Sequence, residues 1–434
     1  MTSSGLSVNR LSRLHDILAG HVGDGHAPGF VSVVSRRGEA HVDVFGSSAV
    51  SDGSAMQRNT IFRISSMTKP ITAVAAMILL EECVLRLDEP VDRLLPELAD
   101  RRVVRRIDGP IDDTVAAHRP ITVRDLLTFR MGFGGYFGPC PLNDAAAPLE
   151  LSVGPPQPAL PPEPDEWMRR FSTLPLMFQP GERWLYHTSA DVLGVLIARA
   201  SGQPFEAFLR ERIFEPLTMN DTGFCVPAVD LDRFTTSYLT DPDRGAPRIF
   251  DPPTGQWSTP PAFPSGGAGL VSTADDYLAF ADMLLHGGQP ILSRPSVETM
   301  TRDHLTPAQK SVSGFLPDYF DARGWGLGVG VATRRDHPAA PVGQYGWDGG
   351  LGTIWRNDPT ERLTVILLTN IAWTSPRPPT SPWTFSPPPM PPSTTEPDPS
   401  TRDSDEAPAF SAEKLRTRRL SLQPDDRHFR LDRG

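Results

Sequence analysis

A helical segment over residues 67–82 constrains the fold more than any other part of the sequence, because it is apolar around its whole circumference. Ile71 and Val74 lie on one side of such a helix, and Ala73 and Met77 make another side apolar too. A helix that is apolar all round is buried among other elements. The chain is therefore predicted to build its core around this helix, and its 434 residues give enough length for a large domain.

The elements on either side of this helix predict a sheet formed by both ends of the chain. Apolar spacing predicts a helix over residues 9–22, and strands at 30–34, 41–45, 325–331, 342–345, 353–356 and 363–370. The segments between are mostly helical, at 122–129, 165–172, 189–201, 205–214 and 272–285, with a Gly- and Pro-rich loop over 132–166. We expect an α/β (α+β) fold in which a mostly antiparallel sheet is flanked by helices and a helical subdomain is inserted over roughly residues 80–270.

Charge and cysteine content argue against several classes of protein. Lys and Arg total 42 against 52 Asp and Glu, so the net charge of −10 gives no electrostatic reason to bind nucleic acid or an anionic membrane. No run of 18 apolar residues occurs, and the N-terminus lacks the basic and apolar regions of a secretory signal. The three cysteines, Cys83, Cys140 and Cys225, are odd in number and far apart, as expected of reduced thiols in a cytoplasmic protein.

The composition changes after residue 373. Of the 26 residues from 375 to 400, 11 are proline, and a stretch rich in Ser, Asp and Arg follows. Such a segment buries too little apolar surface to offset the entropy of ordering it. We therefore expect one folded domain over residues 1–373 and a disordered, catalytically inert tail over 374–434.

Ser66 and Lys69 form an S-x-x-K motif where a short strand pattern meets the apolar helix. At a spacing of three on a helix the two side chains share a face, so the amine can reach the hydroxyl and, when burial lowers its pKa, take the hydroxyl proton. Ser411 and Lys414 have the same spacing in the tail, so spacing alone is weak evidence. Ser66 differs in its context, because it opens a buried helix whose N–H groups point toward the group that Ser66 attacks.

A second candidate group is Tyr186-His187-Thr188, just before the helix at 189–201. The phenol of Tyr186 can relay a proton if a cationic Lys69 lies close enough to lower its pKa, although a packed aromatic with a satisfied hydroxyl is the ordinary alternative. His187 invites a Ser-His-Asp interpretation. Because the chain has no G-x-S-x-G motif and neighbouring side chains point in different directions, we favour a solvated or capping histidine.

A third candidate is the glycine-rich segment 345–353, which contains W-D-G-G at 347–350. Glycines at a strand end let the backbone approach a ligand, so an N–H group here can join that of Ser66 in an oxyanion hole; an ordinary hairpin turn is the alternative.

The G-x-G-x-G-x-G run at 324–330 has a period of two and no following helix, which favours a strand with one small-residue face over a dinucleotide site. No P-loop, H-E-x-x-H or zinc spacing occurs, so we expect neither a metal nor a cofactor.

The three motifs, in this order and at these separations, resemble those of the serine β-lactamase and penicillin-binding-protein-like superfamily, and within it the class C β-lactamase-related group that includes the family VIII esterases. The matching segments are F-R-I-S-S-M-T-K, W-L-Y-H-T and Y-G-W-D-G-G, and the resemblance covers about residues 9–373. It implies a β-lactamase/transpeptidase-like fold, with Ser66 as the acylated nucleophile, Lys69 as its general base and Tyr186 as the proton shuttle. It also implies an oxyanion hole formed by the N–H groups of Ser66 and Gly350.

Departures from the family pattern bear on the substrate. Thr188 stands where the tyrosine motif has an Asn that holds an acylamino group, and Trp347 stands where β-lactamases have a Lys that binds the drug's carboxylate. Losing that ion pair costs a β-lactam on the order of 1.5–3 kcal/mol, while an apolar ester gains an aromatic wall. We therefore expect a carboxylesterase whose partner is a small-molecule ester, with Thr188, Trp347, Asp348 and Gly349 at the substrate site.

Two other functions remain open on the sequence alone: a weak β-lactamase or D-amino-acid peptidase, and a non-catalytic binding protein on the same fold. The non-catalytic binding protein is favoured only if the altered C-terminal end disturbs the sheet, because members of the family ordinarily end with a helix packed on the sheet. If that helix is absent, residues 363–368 are expected to present apolar side chains to solvent, which leads to self-association.

Overall fold

The computed structural model describes residues 4–51, 53–136, 138–151, 154–241, 245–336 and 340–373. The chain divides into two compact units, residues 1–389 and 390–434. The second unit lies wholly outside the described residues, as do the whole predicted tail over 374–434 and its Ser411–Lys414 pair.

Helices and strands of the first unit occur in groups along the chain. The helices are α1 (Val8–Gly23), α2 (Thr68–Glu81), α3 (Val123–Leu127), α4 (Pro141–Ala146), α5 (Pro164–Ser172), α6 (Thr188–Ser201), α7 (Phe205–Leu209), α8 (Glu215–Leu217), α9 (Ala274–Leu285), α10 (Arg294–Met300) and α11 (Pro307–Ser311). The strands are β1 (Gly29–Arg36), β2 (Glu39–Gly46), β3 (Phe62–Arg63), β4 (Arg102–Val104), β5 (Thr114–Ala116), β6 (Ser237–Thr240), β7 (Pro247–Asp251), β8 (Val271–Ser272), β9 (Arg323–Trp325), β10 (Gly330–Ala332), β11 (Tyr345–Gly349), β12 (Thr353–Asp358) and β13 (Leu363–Thr369).

The main sheet has seven strands in the order β2-β1-β13-β12-β11-β10-β9, and every neighbouring pair is antiparallel. The expectation of a mostly antiparallel sheet built from both ends of the chain is confirmed. Val33 of β1 is paired with Ile366 of β13, which joins the two ends at the middle of the sheet. Both residues face the main core, where α9 packs against β1, β12 and β13.

Helix α2 lies inside this core, as its sequence predicts. Its residues from Thr68 to Leu79 are all buried, including the polar ones. Pro70 is near the start of the helix, where the missing N–H has no helical partner to bond. Because α2 is enclosed in this way, a charged side chain on its first turns is removed from water.

The other face of the sheet is also covered. Helix α1 buries Leu14 and Leu18 and is tied to β2 by His15, whose Nδ1 lies 3.0 Å from the Asp43 carboxylate. On β13, Leu367 is only 2% exposed and its neighbours from Thr364 to Thr369 are buried as well. The exposed apolar patch expected at residues 363–368 in the absence of a closing helix is therefore not found: residue 363 is half-buried and 364–368 are buried.

Three local predictions are also wrong. The run at 324–330 is not one strand but the hairpin of β9 and β10, because Gly328 has a positive φ of 76° and a Cβ on Gly326 would lie 2.1 Å from the Met300 carbonyl oxygen. The glycine-rich motif forms strand β11 itself, rather than following a strand at 342–345. The loop over 132–166 contains α4, which begins with a proline at its first helical position.

In the described residues between α2 and β8 lie the helices α3 to α8 and two hairpins, β4–β5 and β6–β7. Within the described residues, no helix is long and apolar enough to cross a membrane.

Candidate active site

Ser66 lies in a short 3₁₀ turn, Ser65–Met67, that leads into α2. It is 8% exposed. Strand β11 lies against this turn, and a Cβ on Gly349 would be 2.2 Å from the Ile64 carbonyl oxygen, so only glycine permits the approach. Thr353 strengthens the contact by donating its hydroxyl to the same carbonyl at 3.1 Å. The glycine-rich motif and the S-x-x-K motif are thus joined through backbone contact.

Lys69 faces Ser66 from the first turn of α2. Its Nζ is 2.8 Å from Ser66 Oγ and 2.6 Å from the carbonyl oxygen of Gly267, and the side chain is 1% exposed. Burial lowers the pKa of Lys69 to about 7, although the negative charge of Asp191 opposes the effect. A large fraction of Lys69 is therefore the neutral amine near pH 7, which is the form that can accept a proton.

Tyr186 lies beside both groups. Its hydroxyl accepts a hydrogen bond from Trp347 Nε1 at 2.6 Å and is also hydrogen-bonded to Ser66, and its ring centre is 4.4 Å from Lys69 Nζ. Burial raises the pKa of Tyr186 far above its ordinary value, and these two hydrogen bonds only partly offset it. The expectation that Lys69 lowers this pKa is wrong, and the raised pKa keeps the phenol in its neutral, protonated form.

An aromatic wall continues from Tyr186. Trp347 contacts Trp325 edge to face at a centroid distance of 4.5 Å, and Phe129 packs on Trp325 at 4.7 Å. Trp184 stacks on Tyr186 at 5.5 Å. Sequence reasoning found Trp347 alone, because the other rings come from segments far apart in the chain and no local pattern joins them.

The remaining predicted residues lie around the same turn. Gly350 follows β11, and its carbonyl accepts the N–H of Trp373 at 3.0 Å. Asp348 accepts a hydrogen bond from Arg356 of β12 at 2.9 Å. The roles of Gly350 in an oxyanion hole and of Asp348 toward substrate remain predictions.

His187 was expected to be solvated or capping, and it is the N-cap residue of α6, but its side chain makes no capping hydrogen bond. Its side chain is 16% exposed and lies between Lys69 and Asp191: Nδ1 is 3.2 Å from Lys69 Nζ, and Nε2 is 3.1 Å from Asp191 Oδ2. It is therefore not a solvated histidine. The spacing of four between His187 and Asp191 at a helix start was the one signal of this in the sequence, because such side chains share a face.

The backbone at His187 is strained. Its φ of 83° and ψ of −71° form a γ-turn in which Thr188 N–H donates to the Tyr186 carbonyl at 3.3 Å. Residues other than glycine rarely adopt this conformation, which costs about 1–3 kcal/mol, and such strain clusters at functional sites. The turn aims Tyr186 and His187 at the same amine from different directions.

A cavity of about 200 Å³ opens beside this turn. Trp167, Phe263 and Leu160 line its apolar part, and His187 and Thr188 lie at its polar end. The hydroxyl of Thr188 is buried and has no hydrogen-bond partner among the described residues. In the part of the chain that the structure describes, no group of three His, Cys, Asp or Glu residues could hold a metal ion.

Several known proteins are similar to this chain. The family model of Beta-lactamase matches residues 14–381. Protein Rv1367c of Mycobacterium tuberculosis is 38% identical over 352 residues, covering 78% of this chain and 85% of that protein. Esterase EstB of Burkholderia gladioli is 31% identical over 366 residues, covering 80% and 86%. Among solved structures, EstCE1, a hydrolase with promiscuous acyltransferase activity, superposes with a TM-score of 0.68 at 26% identity, covering 84% of this chain and 94% of its own.

Proposed function

Because this chain belongs to the Beta-lactamase family and is a serine hydrolase, we propose that Ser66 attacks small carboxylic esters and carries the acyl group until water releases it. The contact of 2.8 Å between Ser66 Oγ and Lys69 Nζ supports the assignment of nucleophile and base. Named relatives include an esterase, EstB, and a lovastatin esterase from Penicillium rubens.

In the proposed acylation step, Ser66 Oγ attacks the ester carbonyl carbon while its proton passes to the neutral amine of Lys69. The carbonyl oxygen becomes an oxyanion, which the N–H groups of Ser66 and Gly350 would bind. When the carbon–oxygen bond to the alcohol breaks, the hydroxyl of Tyr186 donates its proton to the leaving oxygen and regains one from Lys69. Water then attacks the acyl-serine by the same steps in reverse, releasing the carboxylic acid.

The observation that carries the preference for esters is the position of Trp347. It is buried against Tyr186 and Trp325, at the place in the third motif where β-lactamases have a lysine for the drug's carboxylate. An indole ring binds apolar groups and offers no positive charge to an anionic ligand. A neutral ester therefore fits this wall better than an anionic β-lactam.

The cavity beside Thr188 is the place we propose for one side group of the substrate. A space of about 200 Å³ with Trp167, Phe263 and Leu160 in its lining suits a short apolar acyl or alcohol group. The Thr188 side chain belongs to this lining, although its hydroxyl oxygen is buried.

Assays on p-nitrophenyl butyrate and nitrocefin with the same purified sample test the proposal. We expect turnover of the butyrate ester, weak or no turnover of nitrocefin, and loss of both activities in Ser66→Ala. Preference for nitrocefin would identify a β-lactamase instead, and inactivity of a sample with a cooperative thermal transition would reject catalysis.

The role of Trp347 is tested by two variants. Trp347→Phe keeps an aromatic wall but loses the indole N–H, so ester kcat should fall more than KM rises. Trp347→Lys restores the cation, so the ratio of nitrocefin to butyrate turnover should rise. An unchanged ratio would contradict the argument from Trp347.

A further inference from the structure

We propose that His187 and Asp191 are positioning residues that turn the amine of Lys69 so that its lone pair, and not an N–H, faces Ser66. The inference rests on the proposed function, in which Lys69 takes the proton of Ser66. It assigns a task to the two polar side chains that the acylation steps leave unused.

The hydrogen bonds around Lys69 can be counted. A neutral amine has two N–H donors and one lone pair. The Gly267 carbonyl, 2.6 Å away, can only accept and takes one donor. If Nδ1 of His187, 3.2 Å away, carries no hydrogen, it takes the second. The lone pair is then left for Ser66 Oγ at 2.8 Å, so the serine must donate its hydrogen to the amine.

Asp191 determines which nitrogen of His187 carries the hydrogen. Its Oδ2 is 3.1 Å from Nε2, and an ionised carboxylate can only accept, so Nε2 holds the hydrogen and Nδ1 is left bare. Burial raises the pKa of Asp191, but on balance the pKa is lowered, by the charge of His187 when it is protonated and by hydrogen bonds from His187 and Ser265. The hydrogen bonds remain when His187 and Lys69 are neutral, and they favour the ionised carboxylate.

Asp191 is itself held in one orientation. Its Oδ1 accepts from the Ser265 hydroxyl at 2.6 Å and from the Gly267 N–H at 2.9 Å. Gly267 comes this close because it has no side chain: a Cβ there would lie 3.0 Å from both Asp191 Oδ1 and His187 Cε1. The strained γ-turn at His187 completes this arrangement, because it directs the imidazole into the gap between the Lys69 amine and the Asp191 carboxylate.

The decisive variant is Asp191→Asn. The Gly267 N–H and Ser265 hydroxyl both donate to one oxygen, so the amide must place its oxygen there and its NH₂ toward His187 Nε2. The imidazole is then forced into the other tautomer, with Nδ1–H pointing at Lys69, and the lone pair of the amine turns away from Ser66. The same change in a Ser-His-Asp triad lowers kcat about 10⁴-fold by fixing the wrong tautomer.

We expect Asp191→Asn to lower kcat for p-nitrophenyl butyrate by about 10² to 10⁴-fold with less than about threefold change in KM. Labelling of Ser66 by a fluorophosphonate should slow in parallel, because it needs the same activated hydroxyl. Asp125→Asn is the matched control: Asp125 is a buried carboxylate in the first turn of α3, paired with Arg119. That variant should lower the melting temperature while its kcat stays within about threefold of wild type.

Two further measurements apply even if Asp191→Asn fails to fold. His187→Asn keeps an acceptor near the place of Nδ1 and tolerates a positive φ, so it should retain at least tenfold more kcat than His187→Leu. In ¹⁵N-histidine-labelled wild type, the signal absent from His187→Asn should show a bare Nδ1 and a protonated Nε2 at pH 8.

A protonated Nδ1 in wild type, or equal kcat in the Asn and Leu variants, would overturn the positioning role. Failure of the positioning role can be told apart from failure of the proposed function, because the NMR measurement of His187 does not depend on ester turnover. If Ser66→Ala kept full activity, the proposed function itself would fall.

Discussion

Replacing Lys69 by methionine is expected to abolish ester turnover and to change the pH dependence of stability by an amount that reflects the burial of this residue. Methionine fills a similar volume without a charge. The pKa of Lys69 is lowered from 10.5 to about 7 by its burial in the core, which corresponds to roughly 5 kcal/mol against the ammonium form.

The direction of the effect is set by proton binding. Below pH 7 the folded and unfolded chains both carry the proton, so the whole cost of burying the ammonium is present. Between pH 7 and 10.5 the unfolded chain binds a proton that the folded chain has lost, so stability rises with pH. Between pH 7 and pH 9 the gain amounts to about 2 kcal/mol.

Urea unfolding of wild type and Lys69→Met at pH 7 and pH 9 measures this gain. The difference between their free energies of unfolding should change by about 2 kcal/mol in favour of wild type at the higher pH, because the other titrating groups are common to both chains. The acid limb of kcat/KM for wild type should have its midpoint near the same pH of about 7. A difference that stays constant with pH would refute the assignment of a lowered pKa to this amine.

Three other changes test the rest of the structure. Arg63→Ala leaves the buried Asp251 carboxylate without its guanidinium partner at 2.9 Å and should cost about 3–5 kcal/mol in urea unfolding; a loss under about 1 kcal/mol would contradict this. Gly349→Ala puts a Cβ 2.2 Å from the Ile64 carbonyl oxygen and should lower both the melting temperature and, by more than about tenfold, ester kcat; a wild-type rate would show that β11 can move away freely. Truncation after Trp373 should leave solubility, melting temperature and esterase rate unchanged, whereas a collapse of stability would show that part of the tail docks on the sheet.

The parts of the fold that depend on local spacing could be predicted from the sequence. Helix α2 is apolar on every side, so its burial can be inferred from pattern alone. The contact between Ser66 and Lys69 comes from helix geometry at a spacing of three. The β1–β2 hairpin comes from two alternating segments joined at Arg37-Gly38, both of which have positive φ in the structure.

The parts of the fold and of the site that depend on contacts between distant segments could not be predicted from the sequence. His187 lies in the site because its strained backbone and Gly267, 80 positions later, place it between the Lys69 amine and the Asp191 carboxylate, and neither cause is visible in a helix-start pattern. The β9–β10 hairpin replaces the predicted strand because Gly328 turns the chain with a positive φ and Gly326 permits a close approach of the Met300 carbonyl of α10. That approach is set by packing with a distant segment. The pKa of Tyr186 rises because burial outweighs its hydrogen bonds, and the degree of burial is a property of the assembled aromatic wall.

The pairing of β1 with β13 has a consequence for how the protein is made. Val33 and Ile366 are neighbours in the sheet but about 330 residues apart in the chain, so at roughly 5–20 residues per second the ribosome needs roughly 15 to 70 s to deliver the second after the first. During that interval one edge of β1 has no partner strand, and its apolar residues face an incomplete core. The yield of this enzyme in a host cell should therefore depend on chaperones that shield the N-terminal hairpin, and slower translation of the last quarter of the gene should lower the soluble fraction even though the finished protein is unchanged.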